Sequence, residues 1–173
     1  EKSSGELLEI KQRIMRDGEA ICEIISGYFV RGKSKAEKSK SESSAQAQPE
    51  HRDLLFECSY TVDADQSLRY AEASLDRNPI HVDEATAKAA GLPGIILHGL
   101  CSMAMGGREI VNRACDGDAR RLKRIKVRFS KIVLPGDTLT TRAWLVEKNE
   151  NITTLGFETV NQRGENVITR ALA

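Results

Sequence analysis

Asp76-Arg77-Asn78-Pro79-Ile80-His81-Val82-Asp83 is the most informative stretch of this sequence, and Ile95-Ile96-Leu97-His98-Gly99 follows it after a short helical segment. A carboxylate and an imidazole stand five residues apart across a turn that Pro79 stiffens, because proline fixes its own φ and restricts the residue before it. Such a turn can direct Asp76 and His81 toward one point. Since histidine titrates near neutral pH, the two side chains can act as an acid–base pair.

Gly99 is predicted to open a long helix. The first backbone N–H groups of a helix have no partner inside it and lie at the positive end of its dipole, where they can hold a developing oxyanion. Simpler roles stay open on spacing alone. Asp76 can be a turn or cap residue, and His81 an ordinary histidine at a helix start. His98 can brace the start of the long helix or contact a ligand, and Asp83 is expected to cap the helix that begins near Glu84.

The surrounding segment, residues 52–173, is predicted to form one α+β domain with helices first and strands after them. The expected elements are a strand at 54–62, helices at 65–74, 81–90 and 99–115, and strands near 125–129, 139–145, 152–160 and 167–172. Ile125, Val127 and Phe129 alternate with polar residues, which is the period of a half-buried strand. This order favours one long helix packed on an antiparallel sheet.

The N-terminal block, residues 1–32, is predicted to be a β-hairpin, because Asp17-Gly18 separates two apolar runs. Two strands alone are marginal in water. The hairpin should therefore complete a sheet supplied by the main domain, another chain or upstream sequence. Residues 33–51 consist mainly of Lys, Ser, Ala, Gln and Glu and are predicted to be a flexible linker. A solvated helix is the alternative, although the many serines disfavour it.

Composition argues against several classes of function. Lysine and arginine number 26 against 25 acidic residues, so the net charge of +1 provides no general attraction to nucleic acids or anionic membranes. The longest apolar runs are too short to cross a bilayer, and no targeting signal is recognised. Cys22, Cys58, Cys101 and Cys115 form no zinc-ligand pattern, so reduced thiols and no metal site are expected.

The motif order resembles a known enzyme family. Asp-x-Asn-Pro-Ile-His-x-Asp at 76–83, Ala-x-x-x-Gly at 87–91 and Ile-Leu-His-Gly at 96–99 resemble the MaoC-like (R)-specific enoyl-CoA hydratases, including the type 2 hydratase domain of peroxisomal multifunctional enzymes. The likeness continues through Leu100-Cys101, Arg128-Phe129 and Leu134-Pro135-Gly136-Asp137-Thr138-Leu139, and so covers residue 54 onward. Many positions in one fixed order make the resemblance far more specific than a lone Asp/His pair.

The resemblance implies a hot-dog fold, in which a curved antiparallel sheet wraps a long central helix. It implies a hydro-lyase of fatty acid metabolism that converts trans-2-enoyl thioesters reversibly to (R)-3-hydroxyacyl thioesters. CoA would be part of the substrate, and no cofactor would be required. Asp76 and His81 would activate water and exchange the α-proton, while the amide of Gly99 would stabilise the thioester enolate. The expected substrate contacts are Asn78, Phe129, His98 and Arg128. Phe129 can also be a core aromatic residue at an inward strand position, and the two roles are compatible with each other.

The resemblance leaves several alternatives open. The same fold serves acyl-thioester hydrolases and non-catalytic acyl-binding subunits. The basic run 120–126 can blunt a strand edge, or it can contact CoA phosphates or an acidic acyl carrier protein. The block from Leu7 to Val30 resembles the end of the N-terminal half of a double hot dog. We therefore expect a homodimer or pairing with a second hot-dog half. Separately, we expect no nucleic-acid partner and a cytoplasmic or peroxisomal location.

Overall fold

The computed structural model describes residues 5–31 and 53–173. The chain divides into two compact units, Glu1–Gln48 and Pro49–Ala173. The predicted linker, residues 33–51, lies outside the described residues. Within the described parts of the chain, no helix is long and apolar enough to cross a membrane.

The first unit is a two-stranded antiparallel hairpin. Strand β1 (Gly5–Arg16) pairs with β2 (Glu19–Arg31), from Gly5 opposite Arg31 to Arg16 opposite Glu19. Both turn residues, Asp17 at φ 50° and Gly18 at φ 84°, adopt left-handed backbone conformations. Such a turn matches the right-handed twist of the strands that it joins. The hairpin predicted from Asp17-Gly18 is therefore confirmed.

The second unit contains helices first and a strand meander after them. Its elements are β3 (Leu54–Thr61), α1 (Gln66–Ser74), a 3₁₀ turn (Pro79–His81), α2 (Glu84–Ala89), α3 (Gly99–Ala114), a second 3₁₀ turn (Ala119–Arg121), β4 (Lys126–Phe129), β5 (Thr138–Lys148), β6 (Thr153–Asn161) and β7 (Asn166–Leu172). The strands form one antiparallel sheet in the order β3-β5-β6-β7-β4. The predicted α+β architecture, with one long helix against an antiparallel sheet, is confirmed.

Helix α3 packs on the middle of this sheet through a small residue. A methyl group placed on Gly106 would lie 3.5 Å from the ring of Phe157 in β6 and 3.8 Å from the Thr141 hydroxyl in β5. The absence of a side chain at Gly106 lets the helix approach the strands closely. The buried core around this contact contains Val62, Leu97, Cys101, Ile110, Val133, Leu139, Ala143, Leu155, Phe157, Val167, Ile168 and Ala171.

Two predictions about the second unit need correction. The second helix was expected to begin at His81, but it begins at Glu84, because the Asp83 carboxylate accepts a hydrogen bond from the Thr86 amide (2.7 Å) and caps the helix there. The predicted capping role of Asp83 is thereby confirmed, and His81 belongs to the preceding 3₁₀ turn. The buried face predicted for β4 also fails at Phe129, whose side chain is 47% exposed, since β4 is a short strand at the sheet edge.

Candidate active site

The loop that carries Asp76 is shaped by local hydrogen bonds. Helix α1 ends at Ser74, and the next residue, Leu75, has a left-handed backbone (φ 61°) that turns the chain away from the helix axis. The Asp76 carboxylate then accepts a hydrogen bond from the Asn78 amide (3.3 Å), and the Asn78 side chain accepts one from the Ile80 amide (3.5 Å). These two short-range turns are typical of Asp and Asn. They leave the Asp76 side chain exposed at the end of α1.

His81 is held in one orientation by the segment that precedes α3. Its Nδ1 lies 2.8 Å from the carbonyl oxygen of Ile96, and the Ile96 amide donates back to the Ile80 carbonyl at 3.2 Å. Because a carbonyl only accepts, Nδ1 carries the proton in this contact. In the neutral ring, Nε2 is then the atom with the free lone pair, so His81 can take up a proton at Nε2.

His98 lies directly behind His81. Its side chain is 1% exposed, its ring stacks on that of His81 (centroids 3.9 Å apart, planes at 26°), and its Nε2 lies 2.8 Å from the Asp76 carbonyl oxygen. Tyr70 contacts the same ring at a centroid distance of 4.8 Å. In the described part of the chain, His98 Nδ1 has no hydrogen-bond partner.

Gly99 is the first residue of α3, as predicted. Its amide belongs to the first helical turn, whose N–H groups have no partner inside the helix. A methyl group placed on Gly99 would lie 3.4 Å from three atoms of the Phe129 ring. The absence of a side chain therefore lets Phe129 lie close against the start of the helix.

A cleft of about 300 Å³ opens at this helix end. Its wall consists of His81, Ile96, Leu97, Gly99, Ser102, Phe129, Ser130, Lys131, Ile132, Val133 and Val167. Three of the predicted site residues, His81, Gly99 and Phe129, line the cleft. Asp76, Asn78, His98 and Arg128 are not among its lining residues, although one donor atom from each of Asp76, His81 and His98 lies within 4.8 Å of the others.

Asp76, His81 and His98 could in principle bind a metal ion, but the geometry of the two imidazole rings disfavours this. Each residue offers one ligand atom, but the lone pairs of an imidazole lie in the plane of its ring. The rings of His81 and His98 are stacked face to face at 26°, so their lone pairs run nearly side by side and do not converge on one ion. The arrangement suits proton transfer between a carboxylate, an imidazole and a small ligand better than coordination.

Two cleft residues were missed by the sequence interpretation. Ser102 is buried on α3, and its hydroxyl lies 3.5 Å from the His98 carbonyl oxygen; its position one turn after Gly99 was an available signal. Lys131 follows β4 and is the only Lys, Arg, Asp or Glu among the residues that line the cleft. Nothing in the local pattern around Lys131 indicated this position, because it depends on how the sheet edge meets α3.

Asp137 stabilises the turn that follows the cleft residue Val133. Its carboxylate accepts hydrogen bonds from Gln162 Nε2 (2.6 Å), Arg163 Nη1 (2.9 Å) and the Leu134 amide (2.9 Å). Burial raises the pKa of the Asp137 carboxyl, but the hydrogen bonds outweigh burial, so its pKa is lower than usual. The Val133 carbonyl beside this turn accepts the Leu97 amide at 2.8 Å, which ties the segment before Gly99 to the cleft wall.

Comparison with known proteins gives consistent results. The family described as "MaoC like domain" matches residues 45–167. The chain is 33% identical over 156 residues to "Enoyl-CoA hydratase 2, peroxisomal" of Arabidopsis thaliana, covering 84% of this chain and 50% of that relative. It is 39% identical over 110 residues to "Probable enoyl-CoA hydratase 2" of Dictyostelium discoideum, covering 63% of this chain and 36% of that relative.

A solved structure, the MaoC-like dehydratase from Phytophthora capsici, superposes with a TM-score of 0.81 at 30% identity. The match covers 99% of this chain and 57% of that one, and it confirms the predicted hot-dog fold. This chain spans half or less of the length of both curated relatives.

Proposed function

This chain belongs to the MaoC-like domain family, and from that premise we propose that it hydrates trans-2-enoyl thioesters reversibly to (R)-3-hydroxyacyl thioesters. The family membership predicted from the motif order is confirmed. One observation carries the proposal. A carboxylate oxygen of Asp76 lies within 4.8 Å of a ring nitrogen of His81, and His81 lines the same cleft as Gly99 at the start of α3.

The proposed reaction adds water across the Cα–Cβ double bond. The oxygen of water forms a bond to Cβ, and one water proton passes to the Asp76/His81 pair. The π electrons move onto the thioester oxygen as an enolate, and the pair returns a proton to Cα. Dehydration is the same sequence in reverse. His81 Nε2 is the basic atom of the pair, because Nδ1 is occupied by the Ile96 carbonyl.

Stabilisation of the enolate is assigned to the Gly99 amide. The negative charge that develops on the thioester oxygen meets a fixed N–H at a helix start, so little reorganisation is needed. Donors of this kind typically contribute about 3 kcal/mol to lowering the barrier. Acid–base help from the Asp76/His81 pair contributes roughly 10²–10⁴-fold to the rate.

The finer features are proposals of the same kind. Phe129, which ends β4 and lies against the start of α3, is proposed to contact the acyl chain, and Asn78 to shape the Asp76 loop and touch the water. Arg128 lies exposed on β4 and is proposed to contact the carrier group, either CoA or acyl carrier protein. The reaction is proposed to need no cofactor, and the site of action to be the peroxisome or the cytoplasm.

The hairpin supports a proposal about assembly. Its large apolar side chains are exposed in this chain, and two isolated strands are marginal in water. The Phytophthora structure that matches 99% of this chain is considerably longer. We propose that the hairpin belongs to a sheet completed by a second copy or by another hot-dog half. If a second copy completes the sheet, multi-angle light scattering of the purified chain should find a dimer or larger species. A fully active monomer at micromolar concentration contradicts both forms of the proposal.

The activity itself is tested by the loss of enoyl absorbance. Crotonyl-CoA and a longer trans-2-enoyl-CoA are given to wild type, Asp76→Asn and His81→Ala, with thiol release followed in the same samples. Asp83→Asn is the matched control, because this carboxylate caps α2 and asparagine caps equally well. Hydration by wild type and by the control, lost in both site variants without thiol release, supports the proposal. Thiol release in place of hydration identifies a thioesterase, and a folded protein without turnover contradicts the hydratase assignment.

A further inference from the structure

We propose that His98 is a positioning residue that holds together the three parts of the acid–base site; this inference rests on the proposed function. Asp76, His81 and Gly99 belong to three different segments: the loop after α1, the 3₁₀ turn, and the start of α3. His98 contacts each of them in a different way. Its donor group, its ring face and its backbone each engage one segment.

The contact with Asp76 is a hydrogen bond from the imidazole. His98 Nε2–H donates to the Asp76 carbonyl oxygen at 2.8 Å, from a residue 22 positions later in the chain. Asp76 also forms hydrogen bonds with Ser74 and Asn78, and both of these are local. In the described part of the chain, His98 is therefore the residue that fastens the Asp76 backbone to a distant element. Without this hydrogen bond, the exposed loop would keep its local turns, but its distance from α3 would no longer be fixed.

The contact with His81 is a ring stack. With centroids 3.9 Å apart, the His98 ring limits where the His81 ring can lie, while the Ile96 carbonyl fixes its rotation. Gly99 is held through the backbone. His98 is the N-cap of α3, and its carbonyl accepts the amides of Cys101 (3.1 Å) and Ser102 (3.2 Å). The position of His98 thus sets the place at which the helix begins.

Packing alone does not account for a histidine here. The side chain is almost fully buried, yet Nδ1 finds no hydrogen-bond partner among the described residues. A phenylalanine or leucine would fill this space without burying an unsatisfied nitrogen. What the imidazole adds is the Nε2–H donor toward Asp76 together with a flat face toward His81.

The experiment compares three substitutions of His98. Glutamine places its amide nitrogen near the position of Nε2 and can still donate to Asp76; asparagine is too short; phenylalanine keeps a ring but has no donor. We expect His98→Asn and His98→Phe to lower kcat by about 10–100-fold, the scale of an ångström-sized misplacement, with KM within about threefold. His98→Gln should recover most of kcat. The buried α3 substitution Ile110→Val controls for general destabilisation and should keep kcat.

Two results would overturn the proposal. One is a folded His98→Phe with wild-type kcat, and the other is a His98→Gln no better than His98→Asn. A second measurement needs neither turnover nor a variant. The sequence has three histidines, so ¹⁵N imidazole spectra can resolve them, and we expect the Nε2–H tautomer for His98 and the Nδ1–H tautomer for His81. An Nδ1–H tautomer at His98 refutes the donor role even if the wild type is inactive, whereas inactivity with the expected tautomers refutes only the hydratase assignment.

Discussion

The hairpin and the hot-dog unit are both rich in apolar residues, yet only the hot-dog unit buries them. Phe157 in β6 is 0% exposed, whereas Phe29 in β2 is 58% exposed. The sheet of the second unit has α3 on one face, so its strands have a layer to pack against. Among the described residues of its own unit, the hairpin consists of two strands with no helix to cover them. An apolar strand therefore becomes core only when a second layer covers it. Three matched pairs of substitutions, one member in each unit, test this difference.

The largest effect is expected from the two phenylalanines. Phe157→Ala should lower the free energy of unfolding by about 3–5 kcal/mol, because it leaves a cavity beneath α3. Phe29→Ala, measured at concentrations low enough to keep the chain monomeric, should change it by less than about 0.5 kcal/mol, as for other exposed positions. Urea unfolding followed by the fluorescence of Trp144, the only tryptophan in the sequence, measures both. Equal losses would mean that the hairpin contributes to the same core.

The second pair compares two carboxylates that both have basic partners. Asp137 is 3% exposed, and its hydrogen bonds lower the pKa of its carboxyl despite burial. Asp137→Asn should lower the free energy of unfolding by about 1.5–3 kcal/mol, the range for hydrogen bonds to a charged group. In the hairpin, the exposed Glu23 pairs with Lys11 at 2.9 Å, and Glu23→Gln should cause no measurable change, because solvent screens exposed pairs.

The pH dependence follows from the lowered pKa of Asp137. The unfolded chain binds a proton at this carboxyl at higher pH than the folded chain does. The stabilisation is therefore present above the unfolded pKa, about 3.9, and is lost as the pH falls below it. The free energies of unfolding of wild type and Asp137→Asn should show their full difference at pH 7, and this difference should shrink below about pH 4. A difference that stays constant down to pH 2.5 would show that the stabilisation does not depend on the charge of the Asp137 carboxylate.

The smallest effect is expected from two strand glycines. A methyl group on Gly156 would clash with the indole nitrogen of Trp144 on the neighbouring strand, whereas one on Gly27 would lie 3.7 Å from a Leu7 methyl, an ordinary contact. Gly156→Ala should therefore destabilise the second unit by about 1–2 kcal/mol through overpacking. Gly27→Ala should be neutral or slightly stabilising, because alanine loses less backbone entropy on folding. Thermal unfolding by circular dichroism compares the two, and an equal loss at both sites contradicts the steric argument.

Much of this fold could be predicted because the decisive signals are local. The Asp17-Gly18 turn, the start of α3 at Gly99 and the alternation along β5 depend on backbone preference and on the period of the strand. The failures lie where tertiary context overrides a local pattern. Phe129 follows the alternation of a half-buried strand, but β4 is a short edge strand, so the side chain stays half exposed.

The candidate site could be predicted only in part, for a related reason. The motif order identified Asp76, His81 and Gly99, whose roles remain a proposal. The stack of His81 on His98 and the bond from His81 to the Ile96 carbonyl join segments that are 15 or more residues apart in the chain. A carbonyl carries no sequence signature, since every residue has one, so the partner of His81 could not be read from residue types.

The order of strands in the sheet bears on how the domain forms during synthesis. Strand β4, which ends in Phe129, pairs in the described sheet with β7 and no other strand, and Val167 of β7 also lines the cleft. When a nascent chain has emerged only through β6, β4 therefore has no pairing partner in the described sheet, and the cleft still lacks Val167. Pairing between strands so far apart in the chain is slow, and until it occurs the unpaired strand edges are prone to aggregation. The charged side chains of Lys126 and Arg128 on the unpaired β4 would disfavour pairing with other strands until β7 has been synthesised.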